Sequence, residues 1–206
     1  MRALLAQIIA SSLHNMFQAE PDLSQFVPQE TREREPNLSF HLATQLRKYL
    51  FWLNCDFDVT KREHENKRPD IIFHKRGVNA LNFLVVETKR ARNRREVPED
   101  LVNIRNHWFT GNLHYDFGAS VLIDETARTF AILLLARGQP GNPDPITNAT
   151  HPQAQRLPAP TQAACQPTEA LATRIVAAAR DRRAADVTDL KRQLTAAVIA
   201  LYRPPA

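Results

Sequence analysis

Two short apolar runs, at residues 71–73 and 83–86, constrain the fold of this chain most strongly. Both are β-branched or aromatic, and the residues 75–80 between them include Gly77 and Asn79, which favour a turn. Runs of this length and composition are typical of buried strands. We therefore predict an antiparallel pair of buried strands joined by a tight connection.

The position of the turn predicts which side chains of these strands lie close together. If the turn centres near Val78 and Asn79, Asp70 lies opposite Glu87. Side chains alternate along a strand, so Glu87 and Lys89 point to the same side. These two residues and Asp70 are therefore expected to converge on one point.

Two carboxylates that are buried close together need a compensating cation. Like charges raise each other's pKa, and each carboxylate loses hydration on burial. A few oxygen ligands that leave room for water and phosphate oxygens suit Mg²⁺, and a lysine beside the ion can orient or deprotonate a water and offset phosphate charge. The same residues also suit plain ion pairs at the strand ends, Asp70 with Arg68 and Glu87 with Lys89.

The Pro-Asp pair at 69–70 and the Glu-Thr-Lys sequence at 87–89 resemble the signature of the PD-(D/E)xK nuclease superfamily, which has a restriction-endonuclease-like fold. Segments 68–77 and 82–89 are similar to those of small bacterial members that pair Arg-Pro-Asp-Ile-Ile-x-His-Lys-Arg-Gly with Asn-Leu-Leu-Val-x-Glu-x-Lys. The resemblance covers roughly residues 33–137.

This resemblance implies an α/β fold with an α-β-β-β-α-β core, in which helices flank a mixed central sheet. It also implies a Mg²⁺-dependent nuclease that hydrolyses phosphodiester bonds in DNA, with Mn²⁺ able to replace Mg²⁺. Asp70, Glu87 and the backbone carbonyl of Thr88 are then the expected metal ligands. Lys89 is expected to act near the attacking water.

Further carboxylates are candidates on the same resemblance. In the superfamily a Glu near the start of the first core helix approaches the metal, and Glu35 is the expected counterpart, with Glu33 and Glu30 close by. Glu63 and Asp100 are secondary candidates, one before the Arg-Pro-Asp segment and one in the helix after the lysine. Glu35 also suits a helix N-terminus, where a carboxylate interacts favourably with the helix dipole, and Glu63 suits an exposed strand edge.

Positive charge is concentrated directly after the expected catalytic lysine. The chain has a net charge of +5 and a pI of about 9.6, and five of the seven residues 89–95 are Lys or Arg. Such a patch suits a phosphate backbone, and it also suits a solvated loop after a strand. The expected DNA-contacting residues are Arg68, Arg90, Arg92, Arg94 and Arg95.

Hydrophobic periodicity predicts the order of the elements around the motif. Apolar spacing predicts helices over residues 2–18 and 36–53, and a third helix that begins at Pro98. Besides the central pair, the predicted strands cover residues 56–63, 115–123 and 129–136. The resulting order, helix, three strands, helix and two strands, is the one that the nuclease core requires.

The composition changes after residue 137. Half of the 14 prolines fall within residues 138–167, which predicts a linker without regular structure. Alanine-rich helical patterns follow at 169–180 and 187–202, with an apolar stripe that suits docking on the core or on a partner. We therefore predict a nuclease-like domain at 1–137, a Pro-rich linker at 138–168 and a helical hairpin at 169–206.

Residues 186–202 resemble the C-terminal helices of large restriction-modification methyltransferase polypeptides, in which an Asp-x-x-x-Leu helix ends in Ala-Leu-Tyr. This resemblance implies a restriction or defence context. The C-terminal helices are also a candidate surface for a homodimer or a partner protein, and cleavage of both strands of a duplex favours a dimer.

Cysteine usage and hydropathy favour a cytoplasmic protein with reduced thiols. Cys55 and Cys165 are far apart in the sequence and have no neighbouring His/Cys cluster, so neither a disulfide framework nor a zinc site is expected. The N-terminal apolar run is interrupted by Gln7 and continues at helical spacing, and no segment is long enough to span a bilayer.

Two functions from different classes fit these observations. The first is a Mg²⁺-dependent deoxyribonuclease, which the retention of Asp70, Glu87 and Lys89 favours. The second is a nuclease-fold module that binds nucleic acid or assembles with a partner but no longer cuts. Asn103 and Ile104 favour the second, because the superfamily commonly has a Lys-Leu pair at this place.

Overall fold

The computed structural model describes residues 1–21, 23, 34–57 and 68–202. Within them the chain is an α/β protein built around an open, mixed sheet of six strands in the order β1-β2-β3-β4-β5-β6. The strands are β1 (Asn54–Phe57), β2 (Ile71–His74), β3 (Leu84–Arg90), β4 (Phe117–Asp124), β5 (Thr129–Ala136) and β6 (Ile146–Thr147). Neighbouring strands are antiparallel except β3 and β4, which run parallel.

β2 and β3 form the predicted antiparallel pair. Ile71 faces Val86, so continuing this register by one residue sets Asp70 opposite Glu87. The connection contains Gly77, whose φ of +81° lies in the left-handed region that glycine adopts most easily. The strand register that the turn predicted is therefore confirmed.

Helices cover both faces of the sheet, which bury different amounts of apolar surface. The helices are α1 (Arg2–Ala19), α2 (Arg34–Leu46), α3 (Val97–Asn103), α4 (Gln162–Arg180) and α5 (Ala184–Leu201). On one face α1, α2, α4 and α5 join alternate strand residues such as Ile71 and Val86 in a wide apolar cluster. On the other face, Ile72 and Val85 pack with the α3 region in a smaller cluster.

The segment between β3 and β4 covers the smaller cluster. A 3₁₀-helical segment, Ala91–Glu96, leads into α3, and a π-helical turn follows at Ile104–Trp108. Gly118 of β4 lies under this turn, where a Cβ atom would overlap the Ile104 side chain. The absence of a side chain at Gly118 lets the turn approach the sheet closely.

The second helix is shorter than the sequence predicted. α2 carries Pro36 in its first turn, where proline is tolerated, but it ends at Leu46 rather than Leu53. Beyond it, the amides of Tyr49 and Leu53 donate to the carbonyls of Leu46 and Leu50, three residues back, so the backbone forms tight turns. Leu53 is still buried, so the leucine spacing reflects burial of these turns rather than a continuing helix.

The first predicted strand is described only in part. β1 covers Asn54–Phe57, whereas residues 58–67 lie outside the described residues. The candidate Glu63 lies among these, and Glu30 and Glu33 also lie outside the described residues.

The Pro-rich region contains regular structure that the sequence did not predict. Ile146–Thr147 forms β6 on the edge of β5, and α4 begins at Gln162, earlier than predicted and with Pro167 inside it. Thr161 caps this helix by accepting a hydrogen bond from the Ala164 amide at 3.4 Å. Pro167 removes one backbone donor and crowds the carbonyl four residues back, and the helix nevertheless continues to Arg180.

α4 and α5 form the predicted helical hairpin, which packs on the core. Ile175 of α4 and Val198 of α5 are fully buried in the wide apolar cluster. Lys191 of α5 also donates to Asp116, just before β4, at 2.7 Å. The core of the chain thus covers the apolar stripe of the hairpin. A homodimer or a partner protein would have to bind a different surface of α4 and α5.

Both cysteines are free thiols. Burial raises the pKa of Cys55 to about 11 and also raises the pKa of Cys165. In the described part of the chain, each helix is too short or too polar to cross a bilayer.

Candidate active site

A cavity of about 230 Å³ lies beside β3 on the face of the sheet that α3 covers. Asp70, Glu87 and Lys89 all line it, so the structure brings these three side chains together. The other lining residues precede β2 or belong to the helical region after β3: Arg68, Glu96, Glu99, Asp100, Asn103, His107 and Trp108. We refer to this space as the acidic cavity.

Asp70 is held by the neighbouring strand β3. Its Oδ2 accepts hydrogen bonds from the Thr88 backbone amide at 2.6 Å and from the Thr88 hydroxyl at 2.8 Å. Burial nevertheless raises the pKa of Asp70 above its usual range, against the effect of these two hydrogen bonds. The amide and hydroxyl of Thr88 thus position Asp70, whereas metal binding by the Thr88 carbonyl stays a prediction.

A line of hydroxyl groups connects Asp70 to α2. Ser39 Oγ lies 2.5 Å from Thr88 Oγ1 and 2.9 Å from the carbonyl oxygen of Glu35. The two hydroxyls have two protons for three contacts. When Thr88 donates to an ionised Asp70, Ser39 can donate to Thr88 or to the Glu35 carbonyl, but not to both.

Glu87 is a buried carboxylate that accepts a hydrogen bond from Trp108. It is only 9% exposed, and Trp108 Nε1 donates to its Oε1 at 3.1 Å. Burial, together with the charges of Asp70 and Asp100, raises the pKa of Glu87 to about 8, against the opposing effects of Trp108 and Lys89. Near neutral pH the free protein therefore keeps a proton on Glu87, and a cation bound there would displace it.

Lys89 lies among several carboxylates. Its Nζ is 3.7 Å from Asp100 Oδ1 and 3.9 Å from Glu96 Oε2. Burial alone would lower the pKa of Lys89, but the surrounding carboxylates, led by Asp100 and Asp70, raise it. Lys89 therefore stays protonated near neutral pH, so it can orient an oxygen atom through its N–H groups but cannot act as a free base.

Asp100, a secondary candidate from the sequence, lies between Lys89 and β4. Ser120 Oγ donates to its Oδ2 at 3.1 Å. Burial raises the pKa of Asp100 to about 6, although Lys89 and Ser120 oppose the shift. Ser120 reaches this place because the parallel register of β3 and β4 sets it beside Glu87.

Glu35 lies on the side of β3 that faces α2. Its Oε1 accepts hydrogen bonds from the Arg90 amide at 3.3 Å and from Asn93 Nδ2 at 2.6 Å. It is not among the described residues that line the acidic cavity. Its negative charge still raises the pKa of both Asp70 and Lys89, so Glu35 acts on the cavity through its field and holds the segment after β3 against α2.

The predicted DNA-contacting arginines fall into two groups. Four are exposed, one at the acidic cavity and three on the 3₁₀-helical segment after β3: Arg68, Arg92, Arg94 and Arg95. Arg90 corrects the prediction, because it is only 8% exposed and its guanidinium pairs with the buried Glu125. Because side chains alternate along β3, the Arg90 side chain points into the protein. Its partner Glu125 lies in the turn after β4.

Three polar residues of the hydrogen-bond network around Asp70, Glu87 and Asp100 were missed by the sequence reasoning. Trp108, Ser39 and Ser120 were not among the predicted site residues. A buried indole N–H usually finds an acceptor. A tryptophan in the helix after Asp70 and Glu87 therefore indicated a hydrogen-bond donor for one of these carboxylates. The two serines carry no such signal, because their contacts depend on the packing of distant elements.

The acidic cavity has an excess of negative charge. Five carboxylates line it, against the two cations Arg68 and Lys89. Hard oxygen donors in small number suit Mg²⁺, which keeps several of its waters in protein sites. No three His, Cys, Asp or Glu side chains of the described ranges form a complete ligand set. The residues thus fit an ion held by Asp70 and Glu87 and completed by water and substrate oxygens.

Comparisons of the chain with protein-family models, with curated proteins and with solved structures give no significant match. A functional assignment therefore depends on the geometry and charge of the acidic cavity and on the motif that lies in it.

Proposed function

We propose that this protein is a Mg²⁺-dependent nuclease that hydrolyses phosphodiester bonds in DNA. The observation that carries the proposal is the convergence of Asp70, Glu87 and Lys89 on one cavity beside the β2–β3 pair. Two carboxylates can hold a divalent cation, and a protonated lysine with an exposed arginine nearby can bind phosphate oxygens. The resemblance of the motif to the PD-(D/E)xK superfamily agrees with this chemistry.

The order of the elements supports a restriction-endonuclease-like core within the α/β fold. α2 precedes the three antiparallel strands β1, β2 and β3, and α3 then leads to β4, which is parallel to β3. This is the α-β-β-β-α-β order that the resemblance implies. On this proposal α1, β5, β6 and the helical hairpin are additions to the core.

Asp70 and Glu87 would hold the ion, with the Thr88 carbonyl as a further oxygen ligand. When bound, Mg²⁺ supplies positive charge that stabilises the charge developing on the scissile phosphate and lowers the pKa of a water. Thr88 and Trp108 keep the two carboxylates in position through the hydrogen bonds described above. Arg68, exposed at the cavity, would bind the phosphate backbone without reading the base sequence.

Lys89 would act as a positively charged positioning group. Asp100 and Glu96 lie 3.7 and 3.9 Å from its ammonium group, and the charges of Asp100 and Asp70 raise its proton affinity, so its N–H groups can orient the attacking water or a phosphate oxygen. Asp100 has a pKa of about 6 and is thus a carboxylate that can accept a proton close to neutral pH.

Cleavage of plasmid DNA by the purified protein tests the proposal. We expect nicking or cleavage with Mg²⁺ or Mn²⁺ and none with EDTA. Single-stranded DNA and RNA assayed in parallel identify the substrate.

Variants test the roles of the central residues. Asp70→Asn and Lys89→Met keep the size of each side chain and should lower the cleavage rate by roughly 10²-fold or more. Glu99→Gln, an exposed carboxylate of the same cavity, is the matched control and should cut like the wild type. Full activity in Asp70→Asn would refute the assignment.

A second candidate is a nuclease-fold module that binds nucleic acid or a partner without cutting. It is favoured by the internal contacts of the central residues, since Thr88 bonds Asp70 and Trp108 bonds Glu87. Lys89 likewise lies among carboxylates. Such a module should retain DNA binding in a gel-shift assay while showing no Mg²⁺ uptake that depends on the two carboxylates.

A further inference from the structure

A second cavity lies on the other face of the sheet, against the helical hairpin. Its volume is about 310 Å³, which is within the range of small-molecule sites. Most of its lining is apolar, and α5 contributes Leu194, Thr195 and Val198. We call this space the hairpin cavity. It shares no lining residue with the acidic cavity, so ligand binding in it does not depend on the proposed nuclease function.

Aromatic rings form part of the wall of the hairpin cavity. The Trp52 and Phe83 rings meet edge to face with centroids 6.1 Å apart, and the Phe83 and Phe117 rings do so at 5.3 Å. Leu194 and Val198 are buried on α5. Walls of this kind suit an apolar chain or a flat ring.

Three charged residues lie at the same cavity with an excess of positive charge. Asp116 Oδ1 accepts from Arg137 Nη2 at 2.8 Å, and Asp116 Oδ2 accepts from Lys191 Nζ at 2.7 Å. Both cations remain partly exposed, and each has more N–H donors than its bond to Asp116 uses. Two cations that share one carboxylate provide a place for a second anionic group.

We propose that the hairpin cavity binds a small amphipathic carboxylate, a molecule with an apolar chain or ring and one anionic group. The apolar part packs against the aromatic wall and the buried side chains of α5. The carboxylate oxygens accept hydrogen bonds from Arg137 and Lys191. This chemistry covers both alkyl and aryl carboxylic acids of a size that fits the cavity.

Calorimetric titration of the whole chain with octanoate tests the proposal. We expect one saturable site for octanoate, binding of octan-1-ol that is at least tenfold weaker, and no measurable binding of acetate. The difference in affinity between octanoate and octan-1-ol measures the contribution of the anionic group. The difference between octanoate and acetate measures the contribution of the apolar chain. Absence of saturable octanoate binding, or equal binding of octan-1-ol, would overturn the proposal.

Variants locate the binding in this cavity. Thr195→Phe fills the space and should weaken octanoate at least tenfold. Arg137→Met and Lys191→Met each remove one cation. Each should weaken octanoate severalfold and leave octan-1-ol unchanged. Arg192→Met, on the exposed side of the same helix, should bind octanoate like the wild type.

Circular dichroism of each variant establishes that it is folded. If Thr195→Phe fails to fold, Arg137→Met and Lys191→Met decide the question. Octanoate affinity that is unchanged in all folded cavity variants would place the ligand elsewhere on the molecule and refute the assignment.

Discussion

The two faces of the sheet differ in what they bury. The face covered by α1, α2, α4 and α5 buries a wide and mainly apolar cluster, whereas the face covered by α3 buries a smaller apolar cluster beside Glu87 and Asp100. Burial of apolar surface is favourable, and burial of a carboxylate is unfavourable unless it is paired. The face with the wide apolar cluster therefore supplies most of the free energy of folding. This stability allows the face covered by α3 to hold carboxylates at positions where burial is unfavourable.

β3 contributes to both faces through the alternation of its side chains. Leu84 and Val86 join the wide cluster, while Val85 joins the small one and Glu87 lines the acidic cavity. A slip of one residue in the register would exchange the two sets. The apolar residues of β3 thus also fix the direction in which its carboxylate points.

Glu87→Gln should change activity and stability in opposite directions, which is the largest contrast that the two faces predict. Glutamine keeps the size of the side chain and can still accept from Trp108, but it lacks the charge that would hold the ion, so cleavage should fall by roughly 10³-fold. Removing a carboxyl group with a raised pKa should increase the free energy of unfolding at pH 8 by on the order of 2–4 kcal/mol. Plasmid cleavage and denaturant unfolding measure the two effects, and a destabilised variant would show that Glu87 supports the fold.

Leu13→Ala should have the converse effect on the wide face. Leu13 is fully buried in the larger cluster, so the free energy of unfolding should fall by about 2–5 kcal/mol. Cleavage per folded molecule should not change. Val102→Ala, at an exposed position, is the control and should stay within about 0.5 kcal/mol of the wild type in urea unfolding. A folded Leu13→Ala protein that has lost cleavage would contradict the separation of stability from chemistry.

The stability of the free protein should fall as the pH rises from about 4.5 to about 8. The folded-state pKa of Glu87 is about 8, above its ordinary value of 4.5, so its contribution is fully present below pH 4.5 and is lost as the pH passes through 8. Asp100, with a pKa of about 6 against an ordinary 3.8, adds a loss at lower pH. We expect the free energy of unfolding to decrease on the order of 4 kcal/mol over this range in denaturant unfolding. In Glu87→Gln the part of the decrease near pH 8 should be absent. A stability that is flat over this range in the wild type would contradict the burial of Glu87.

Trp108→Phe should have the smallest of these effects. Phenylalanine keeps the packing in the small cluster but removes the N–H donor to Glu87, which should raise the pKa of Glu87 further. Loss of one hydrogen bond to a charged group corresponds to about a tenfold lower cleavage rate. The pH–rate profile should shift to higher pH, a change that a purely structural role of Trp108 would not produce.

The local parts of the fold were predictable from the sequence because short-range rules determine them. The turn around Gly77 and the two apolar runs were sufficient to predict the register that pairs Ile71 with Val86. The β5 strand was also predicted at its observed bounds, Thr129–Ala136. Alternation along β3 then brought Glu87 and Lys89 to one cavity with Asp70.

The parts that were not predicted depend on contacts between distant segments. Arg90 belongs to a basic run in the sequence, but Glu125, 35 residues later, allows it to be buried. α4 begins within a proline-rich segment because Thr161 caps it and the helix packs on the core. Periodicity could not distinguish the buried turns after Leu46 from a continuing helix, since both bury leucines at similar spacing.

Calorimetric titration with Mn²⁺ at pH 8 tests most directly whether Asp70 and Glu87 hold a metal ion. The wild type should bind Mn²⁺ at one saturable site, and Mg²⁺ should compete for it. Asp70→Asn and Glu87→Gln should each weaken this binding by at least tenfold, roughly the loss of one charged ligand, while Glu99→Gln should bind as the wild type does. Equal Mn²⁺ affinity in the wild type and Glu87→Gln, or no saturable binding in the wild type, would contradict the proposed metal-dependent nuclease.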